Sequence, residues 1–138
     1  ELFRQGFKTG DVGSLNEEGY LTLLGRRDDV INVGGRKVHP AEVESLLFNY
    51  YPSLDCALTS LEHRSAGAVP ILCLGPTDLE RKALLELLGG RLEPYKVPSR
   101  VVQLGCPIPR TGNGKVKRQD LQKLLEEIAP LSRKRKKQ

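Results

Sequence analysis

The apolar residues of this chain lie in short runs between turn-forming residues, and this pattern restricts the fold more than any other feature of the sequence. Three segments carry apolar residues at the spacing of one helical face. Between them are short runs rich in β-branched residues, which predict strands. With 138 residues, the chain has room for one domain with a modest core. The helical faces consist of Val43, Leu46, Leu47 and Tyr50, then Leu84, Leu85, Leu88 and Leu92, then Leu121, Leu124, Leu125 and Ile128.

The order of these elements predicts an α+β domain: an N-terminal β-hairpin followed by a small mixed sheet with helices packed on it, in the order β-α-β-β-α-β-α. A cluster of turn-forming residues from Asn16 to Gly19 marks the hairpin. Pro40 fits the first position of the first helix. Thr77 and Glu80 have the spacing of a capping box for the second helix.

The positive charge of the chain is concentrated at its C-terminal end. The net charge is +5, and a basic run extends from Arg133 to Lys137. Removing these five residues from the 22 basic ones leaves 17, which equals the number of acidic residues. We therefore predict a disordered basic tail over residues 130–138 and no specific nucleic-acid partner. A non-enzymatic module that binds anions or nucleic acid remains an alternative function, of a different class.

The cysteines and the hydropathy indicate an ordinary intracellular domain. Cys56, Cys73 and Cys106 are odd in number, far apart and placed in apolar runs, so we expect small buried side chains and no metal site. No leader and no apolar run long enough to span a bilayer is present, which favours a cytoplasmic location without a membrane span. Because the chain begins with Glu1 and not with Met, we expect a fragment of a longer protein.

Three segments dense in glycine and charge are candidates for chemistry, and the first of them is FKTGD. Its Asp11 follows a glycine in a predicted loop. A carboxylate there could accept two hydrogen bonds from vicinal hydroxyl groups such as those of a ribose. An aspartate at the start of a hairpin could equally satisfy backbone donors of the turn.

The second segment is GRRDDVINVGGRKVHPAEVE. Gly34 and Gly35 interrupt a predicted strand and could let a second backbone or a narrow ligand come close, while Lys37 could meet a phosphate. The alternative is a turn or bulge with solvated charges. The segment also holds a group of charges that a surface ion-pair cluster would explain: Arg26, Asp28 and Asp29.

The third segment is PIPRTGNGKVKR, in which Lys115 follows two glycines, Gly112 and Gly114. We predict a flexible loop whose amide groups and ammonium could share the charge of a phosphate. The segment is not the phosphate loop of P-loop enzymes. Gly112 lies only three positions before Lys115, and no Ser or Thr follows the lysine.

Taken together, the identity, order and spacing of these three segments resemble the C-terminal domain of the AMP-forming adenylating enzymes. That family includes acyl-CoA synthetases, adenylation domains of peptide synthetases and luciferases, and the resemblance is greatest to an acyl-CoA synthetase. It extends from Phe7 to Leu125 and includes a supporting segment, LEPYKVPSRVVQL.

The resemblance implies a domain organisation and a set of site residues. Residues 1–24 would be the end of a large domain and the hairpin leading to a hinge, 25–129 a mobile C-terminal lid, and 130–138 the basic tail. The implied site residues are Asp11, Arg26 and Lys37 for ATP or AMP, Asp28 for the hinge, Gly34 and Gly35 for a loop that faces CoA, and Lys115 for catalysis.

The implied activity is that of an ATP-dependent, AMP-forming acyl-CoA synthetase, which converts a small carboxylic acid to an acyl-adenylate and then to a CoA thioester. ATP, CoA and Mg would be used, with the metal bound mainly through ATP and the N-terminal adenylating domain. That domain of the same protein would be the main partner, and we expect the chain to be inactive without it. The C-terminal part of a carrier-protein-loading adenylation domain is the alternative within the family.

Overall fold

The computed structural model describes residues 11–15, 17–19, 21–26, 29–63 and 67–128. The predicted hinge residue Asp28 and the predicted basic tail, 130–138, lie outside these ranges. The described chain forms a two-stranded hairpin, then a five-stranded sheet with helices on both of its faces.

The predicted N-terminal hairpin is confirmed. Strand β1 (Asp11–Leu15) pairs antiparallel with strand β2 (Leu21–Arg26). The pairing shifts between Val12 and Gly13, where one strand carries an irregularity of the kind a β-bulge produces. The second strand also lies beside the first helix of the domain.

The larger sheet is mixed, as predicted, and is built around one long strand. Its members are β3 (Ile31–Val33), β4 (Arg36–Val38), β5 (Cys56–His63), β6 (Gly67–Leu74) and β7 (Arg100–Gln103). Strand β6 pairs antiparallel with β5 along its whole length. Its other edge contacts β3 at its beginning and runs parallel to β7 at its end.

Strand β4 was not predicted from the sequence. Gly34 and Gly35 have φ values of +59° and +88°, so they form a tight turn that reverses the chain between β3 and β4. Val38 then pairs with Ile31 and is completely buried. Three residues are too few to show a clear alternating pattern, and burial of Val38 depends on packing in the folded domain.

The described ranges contain three α-helices: α1 (Pro40–Tyr50), α2 (Arg81–Arg91) and α3 (Arg118–Ile128). Pro40 lies in the first turn of α1, as predicted. The predicted capping box of α2 is wrong. The helix begins one residue after Glu80, and Thr77 Oγ1 instead accepts a hydrogen bond of 3.2 Å from the backbone N–H of Leu79. Such a local turn competes with capping because the threonine hydroxyl bonds to the backbone two residues ahead.

The sheet is buried on both faces, which explains why its central strand reads as a continuous apolar run. Leu72 and Leu74 of β6 pack with α1 and α2, whereas Ile71 and Cys73 pack with α3. As predicted, Cys56 and Cys73 are buried; Cys106 is half-buried, and all three are free thiols. Within the described ranges, no helix is long and apolar enough to cross a membrane.

Candidate functional site

Two of the predicted site residues come together in the N-terminal hairpin. Asp11 opens β1, Arg26 closes β2, and the two residues are direct partners across the strand pair. The sequence places them 15 positions apart, and the register of the hairpin makes them neighbours.

Gly34 and Gly35 form an exposed, preformed turn. Both have positive φ, and Asn32 Oδ1 accepts a hydrogen bond of 3.0 Å from the N–H of Gly35. An added Cβ would meet no atom within 4 Å at either glycine, so the backbone here is open to a ligand. Lys37 is exposed on the strand that leaves the turn, opposite Asn32. These glycines therefore form a turn, which was one of the two alternatives from the sequence. The turn leaves room for a narrow ligand to approach the backbone.

An aromatic contact lies beside this turn and was not predicted from the sequence. The guanidinium of Arg36 lies 5.1 Å from the centre of the Tyr95 ring, and Lys96 Nζ lies 5.7 Å from the same centre. Lys96 in turn makes ion pairs with Glu42 at 3.1 Å and Glu93 at 3.3 Å. Tyr95 and Lys96 belong to the supporting segment LEPYKVPSRVVQL. Their contacts connect the start of α1 with the strand that follows the glycine turn.

Lys115 lies on a closed hairpin, where the sequence predicted a flexible loop. The backbone N–H of Thr111 donates to the carbonyl of Lys115 at 2.7 Å, and the N–H of Gly114 donates to the carbonyl of Thr111 at 2.9 Å. Thr111 Oγ1 also accepts from the N–H of Lys115 at 3.2 Å. Arg110 and Val116 form a β-bridge at the base. The lysine side chain is exposed, so an ammonium group projects from a well-defined support.

Behind this hairpin, Arg118 connects three elements of the domain. Its Nε lies 3.3 Å from Asp29 Oδ2, its Nη2 lies 3.4 Å from Glu44 Oε2, and its Nη1 donates to the carbonyl of Leu58. Glu44 Oε2 also accepts from the N–H of Leu58 at 2.8 Å. Burial raises the pKa of Glu44 above its ordinary value of 4.5, and the nearby Arg118 charge opposes that shift. Asp29 therefore belongs to a network of contacts that connects it through Arg118 to Glu44 of α1 and to β5.

The glycine turn and the Lys115 hairpin lie at opposite ends of the sheet. Val33, just before the turn, pairs with Gly67 at the beginning of β6. Asp55, which binds the base of the lysine hairpin, pairs with Gly75 just beyond the other end of β6. Strand β6 has 8 residues, and a strand rises about 3.4 Å per residue, so the two features are separated by about 25 Å.

The described side chains offer cations and backbone amides, with no metal centre among them. No group of three or more His, Cys, Asp or Glu residues that could hold a metal ion occurs in the part of the chain that the structure describes. At one end of the sheet, Lys115 can therefore contribute positive charge to a phosphate or a carboxylate. At the other end, the glycine turn offers backbone without side chains.

Relatives of this chain include CoA ligases. The chain is 33% identical over 130 residues to a 2-succinylbenzoate–CoA ligase from Bacillus mycoides, covering 93% of this chain and 27% of the relative. It is 36% identical over 122 residues to an indoleacetate–CoA ligase from Aromatoleum aromaticum, covering 86% of this chain and 24% of the relative. The chain thus spans about a quarter of the length of these relatives. No family model matches it.

Solved structures similar to this chain include those of a CoA synthetase. The o-succinylbenzoate CoA synthetase MenE from Bacillus subtilis, in complex with its acyl-adenylate intermediate, has a TM-score of 0.74 and 35% identity, covering 83% of this chain and 24% of that one. The same synthetase in complex with ATP and magnesium has a TM-score of 0.73 and 35% identity, covering 84% of this chain and 24% of that one.

Proposed function

This chain belongs to the AMP-forming adenylating enzymes, as a C-terminal domain similar to that of an acyl-CoA synthetase, and we infer from this that it is the mobile lid of an acid–thiol ligase. In the first half-reaction, a carboxylate oxygen attacks the α-phosphorus of ATP, and the bond to pyrophosphate breaks. In the second, the sulfur of CoA attacks the acyl carbon, the bond to AMP breaks and the thiol proton is released. The CoA ligase relatives, and the synthetase solved with its acyl-adenylate and with ATP, support this proposal.

The observation that carries the proposal is the placement of Lys115 and the Gly34–Gly35 turn at opposite ends of β6. A single reaction centre cannot hold both at once across about 25 Å. We propose that the lid presents the lysine during adenylation and then rotates to present the glycine turn during thioester formation. One domain would thereby serve two half-reactions with different electrostatic needs.

Lys115 would act in adenylation only. As an anionic carboxylate approaches the α-phosphate, negative charge increases on the phosphoryl oxygens, and a preorganised ammonium stabilises it. Removing one such preorganised group from an active site typically costs about 3 kcal/mol of transition-state stabilisation. The hairpin around Lys115 holds the backbone of the lysine in place before the substrate arrives, which is the preorganisation that this effect requires.

Gly34 and Gly35 would face the thiol substrate in the second position of the lid. The pantetheine arm of CoA is narrow, and a turn without side chains lets it approach the backbone closely. The positive φ of both glycines and the open space around them support this role.

The remaining predicted residues would bind the nucleotide. We propose that Asp11 holds the ribose hydroxyls of ATP and then of the acyl-adenylate, and that Arg26 binds the nucleotide beside it. Their pairing across the N-terminal hairpin supports a shared task. Lys37 would lie near the phosphate. Mg would be bound mainly through ATP and the N-terminal domain; the similar synthetase solved with ATP and magnesium supports the use of this metal.

The domain boundaries follow from the same proposal. Residues 1–24 would end the large domain, Asp28 would be the hinge, and 25–129 would move as the lid. The N-terminal adenylating domain would be the partner that supplies the acid pocket, so the isolated chain would be inactive. The acid would be an aromatic or a long-chain carboxylic acid, because the relatives include 2-succinylbenzoate– and indoleacetate–CoA ligases and a long-chain-fatty-acid–CoA ligase from Mycobacterium tuberculosis. A cytoplasmic location remains a prediction from the sequence.

The test is to separate the two half-reactions in the full-length protein. Acid-dependent ATP–pyrophosphate exchange would be measured with 2-succinylbenzoate, indoleacetate and palmitate, and the active acid would be used for variants. Lys115→Ala is expected to slow exchange by about 100-fold, yet leave thioester formation from supplied acyl-adenylate nearly unchanged. The exposed Lys123 of α3 provides the matched control, Lys123→Ala. Equal loss of both half-reactions in Lys115→Ala would show that the lysine does not have this role.

The hinge and the acceptor are tested separately. Asp28→Pro is expected to impair thioester formation more than exchange, because proline fixes φ and restricts rotation; unchanged overall synthesis would contradict a hinge at Asp28. Transfer of the acyl group to a carrier-protein thiol in preference to CoA would favour the alternative within the family. Salt-sensitive DNA binding that survives removal of residues 133–137 would favour the nucleic-acid module.

A further inference from the structure

We propose that Arg110 and Asp55 are a positioning pair that fixes the Lys115 hairpin against the sheet, so that adenylation depends on two residues that do not touch the substrate. This inference rests on the role of Lys115 proposed above. It goes further because it explains how an exposed lysine that follows two glycines can be preorganised. Neither residue is among the site residues that the sequence indicated.

Arg110 ties the two sides of the hairpin to the sheet. Its Nη1 donates to the carbonyl of Gly114 at 3.1 Å, directly beside Lys115. Its Nη2 lies 3.0 Å from Asp55 Oδ1 and 3.3 Å from the carbonyl of Cys56. One planar guanidinium thus spans the residue before the lysine and the beginning of β5. A lysine at this position could not make both contacts with the same fixed geometry.

Asp55 holds Arg110 and the segment that leads into the hairpin at the same time. Its Oδ1 pairs with Arg110, while its Oδ2 accepts from the N–H of Ile108 at 2.9 Å. Ile108 is buried in the core beneath α3, so this carboxylate connects the lysine hairpin to the most rigid part of the domain. Because each oxygen of Asp55 has its own partner, the carboxylate is held in one orientation, unlike that of an isolated surface ion pair.

The absence of a side chain at Gly75 leaves the space that the Asp55 carboxylate occupies. The N–H of Gly75 donates to the carbonyl of Asp55 at 2.8 Å. A Cβ at Gly75 would lie 2.7 Å from Asp55 Oδ2 and 3.1 Å from its Cβ, so any side chain there would displace the carboxylate. Gly75, Asp55 and Arg110 therefore form one continuous support that ends at the carbonyl of Gly114.

Replacing Arg110 or Asp55 is expected to slow adenylation strongly while it destabilises the fold only slightly. The side chains of Arg110 and Asp55 are 37% and 31% exposed. Partly exposed ion pairs add little to stability, so variants at these positions are expected to fold. Displacing a reacting group by about 1 Å, however, can cost about 100-fold in rate. Without Arg110 the hairpin loses its fixed position relative to the sheet, and its internal hydrogen bonds are expected to open more often.

The experiment uses Arg110→Met in the full-length enzyme with whichever of 2-succinylbenzoate, indoleacetate or palmitate supports ATP–pyrophosphate exchange. We expect kcat for exchange to fall by about 10- to 100-fold, with thioester formation from supplied acyl-adenylate within about 2-fold of wild type. Arg110→Lys should recover part of the rate, because it restores a charge beside Asp55. Arg81→Met, at an exposed arginine at the start of α2, is the matched control and should leave both half-reactions unchanged.

A double-mutant cycle identifies the path of the effect. If Arg110 acts through Lys115, then Arg110→Met should cause no further slowing of exchange in a Lys115→Ala background. Additive losses, an equal fall in both half-reactions, or unchanged exchange in Arg110→Met would each overturn the proposal. If Lys115→Ala itself leaves exchange intact, the proposed role of Lys115 fails instead, so the two failures are distinguishable.

Hydrogen–deuterium exchange supplies a readout that needs no acid substrate. In Arg110→Met, amides of residues 111–117 should exchange at least about 10-fold faster than in wild type, while those of β5 should not change. Unchanged protection of 111–117 would contradict the support role. If Arg110→Met does not fold, Arg110→Lys and Asp55→Asn carry the same measurements, with the same expected split between half-reactions.

Discussion

Arg118 and Asp29 form an ion pair in which 3.3 Å separates Nε from Oδ2, and this pair joins the last helix to the residue that follows the predicted hinge. The same arginine holds Glu44 of α1 and the carbonyl of Leu58 in β5. The lysine hairpin ends just before Arg118. A rotation at Asp28 would therefore carry α3 and the Lys115 hairpin with the rest of the lid as one body.

Arg118→Met is expected to destabilise the chain by about 2 kcal/mol, because it leaves the largely buried Glu44 carboxylate without its cation. Asp29→Ala should cost less than about 1 kcal/mol, since that pair is more exposed and Glu44 keeps its partner. Urea denaturation of the chain measures both changes. Equal effects of the two substitutions would contradict a dominant role for the Glu44 contact.

The pKa of Glu44 gives a pH-dependent prediction. Burial raises this pKa above 4.5 in the folded state, so between the two values the folded chain binds more protons than the unfolded one. The stability due to this protonation is fully present below pH 4.5 and is lost as pH rises through the raised value. The advantage of wild type over Glu44→Gln should therefore decrease as pH increases, measured by urea denaturation from about pH 4.5 to 7.5. A difference that rises with pH would show the opposite shift.

Substitution by alanine should have opposite effects on stability at Gly35 in the turn and at Gly89 in helix α2. Gly35→Ala should destabilise the chain by about 1–2 kcal/mol, because its φ of +88° is strained for a residue with a Cβ. It should also slow thioester formation more than adenylation. Gly89→Ala is the matched control: Gly89 lies in helix α2 with nothing within 4 Å of an added Cβ, so stability should rise by about 0.5–1 kcal/mol. Thermal unfolding and the two half-reaction assays measure these outcomes.

The cysteines predict a labelling pattern. Burial raises the pKa of Cys56 and of Cys73 to about 12, so at pH 8 only about one thiol in ten thousand is ionised at each position. Both should resist iodoacetamide in the folded protein, while the half-buried Cys106 should react faster. Peptide mapping by mass spectrometry measures the rates, and labelling in urea, where all three should react alike, is the control. Rapid native labelling of Cys73 would contradict the buried environment.

Much of the fold was encoded locally and could be predicted. Leucine stripes at helical spacing placed the three helices, and Pro40 marked where α1 begins. The turn residues before Gly19 predicted the N-terminal hairpin, which then makes Asp11 and Arg26 neighbours. These features follow from side-chain periodicity and backbone preferences, which act over a few residues and are visible in the sequence.

The support of the candidate site was decided by tertiary structure alone. Arg110 meets Asp55 across 55 positions, and Arg118 meets Glu44 across 74, so no local pattern announces either contact. The glycines beside Lys115 indicated a flexible loop, because glycine removes steric restrictions from an isolated segment. In the folded domain, Thr111 and Arg110 hold that segment through hydrogen bonds across four positions, and Asp55 fixes Arg110 to the sheet from a distant part of the chain. The sequence determined which residues could carry charge to a substrate, and the packing of the sheet decided which of them are held in place.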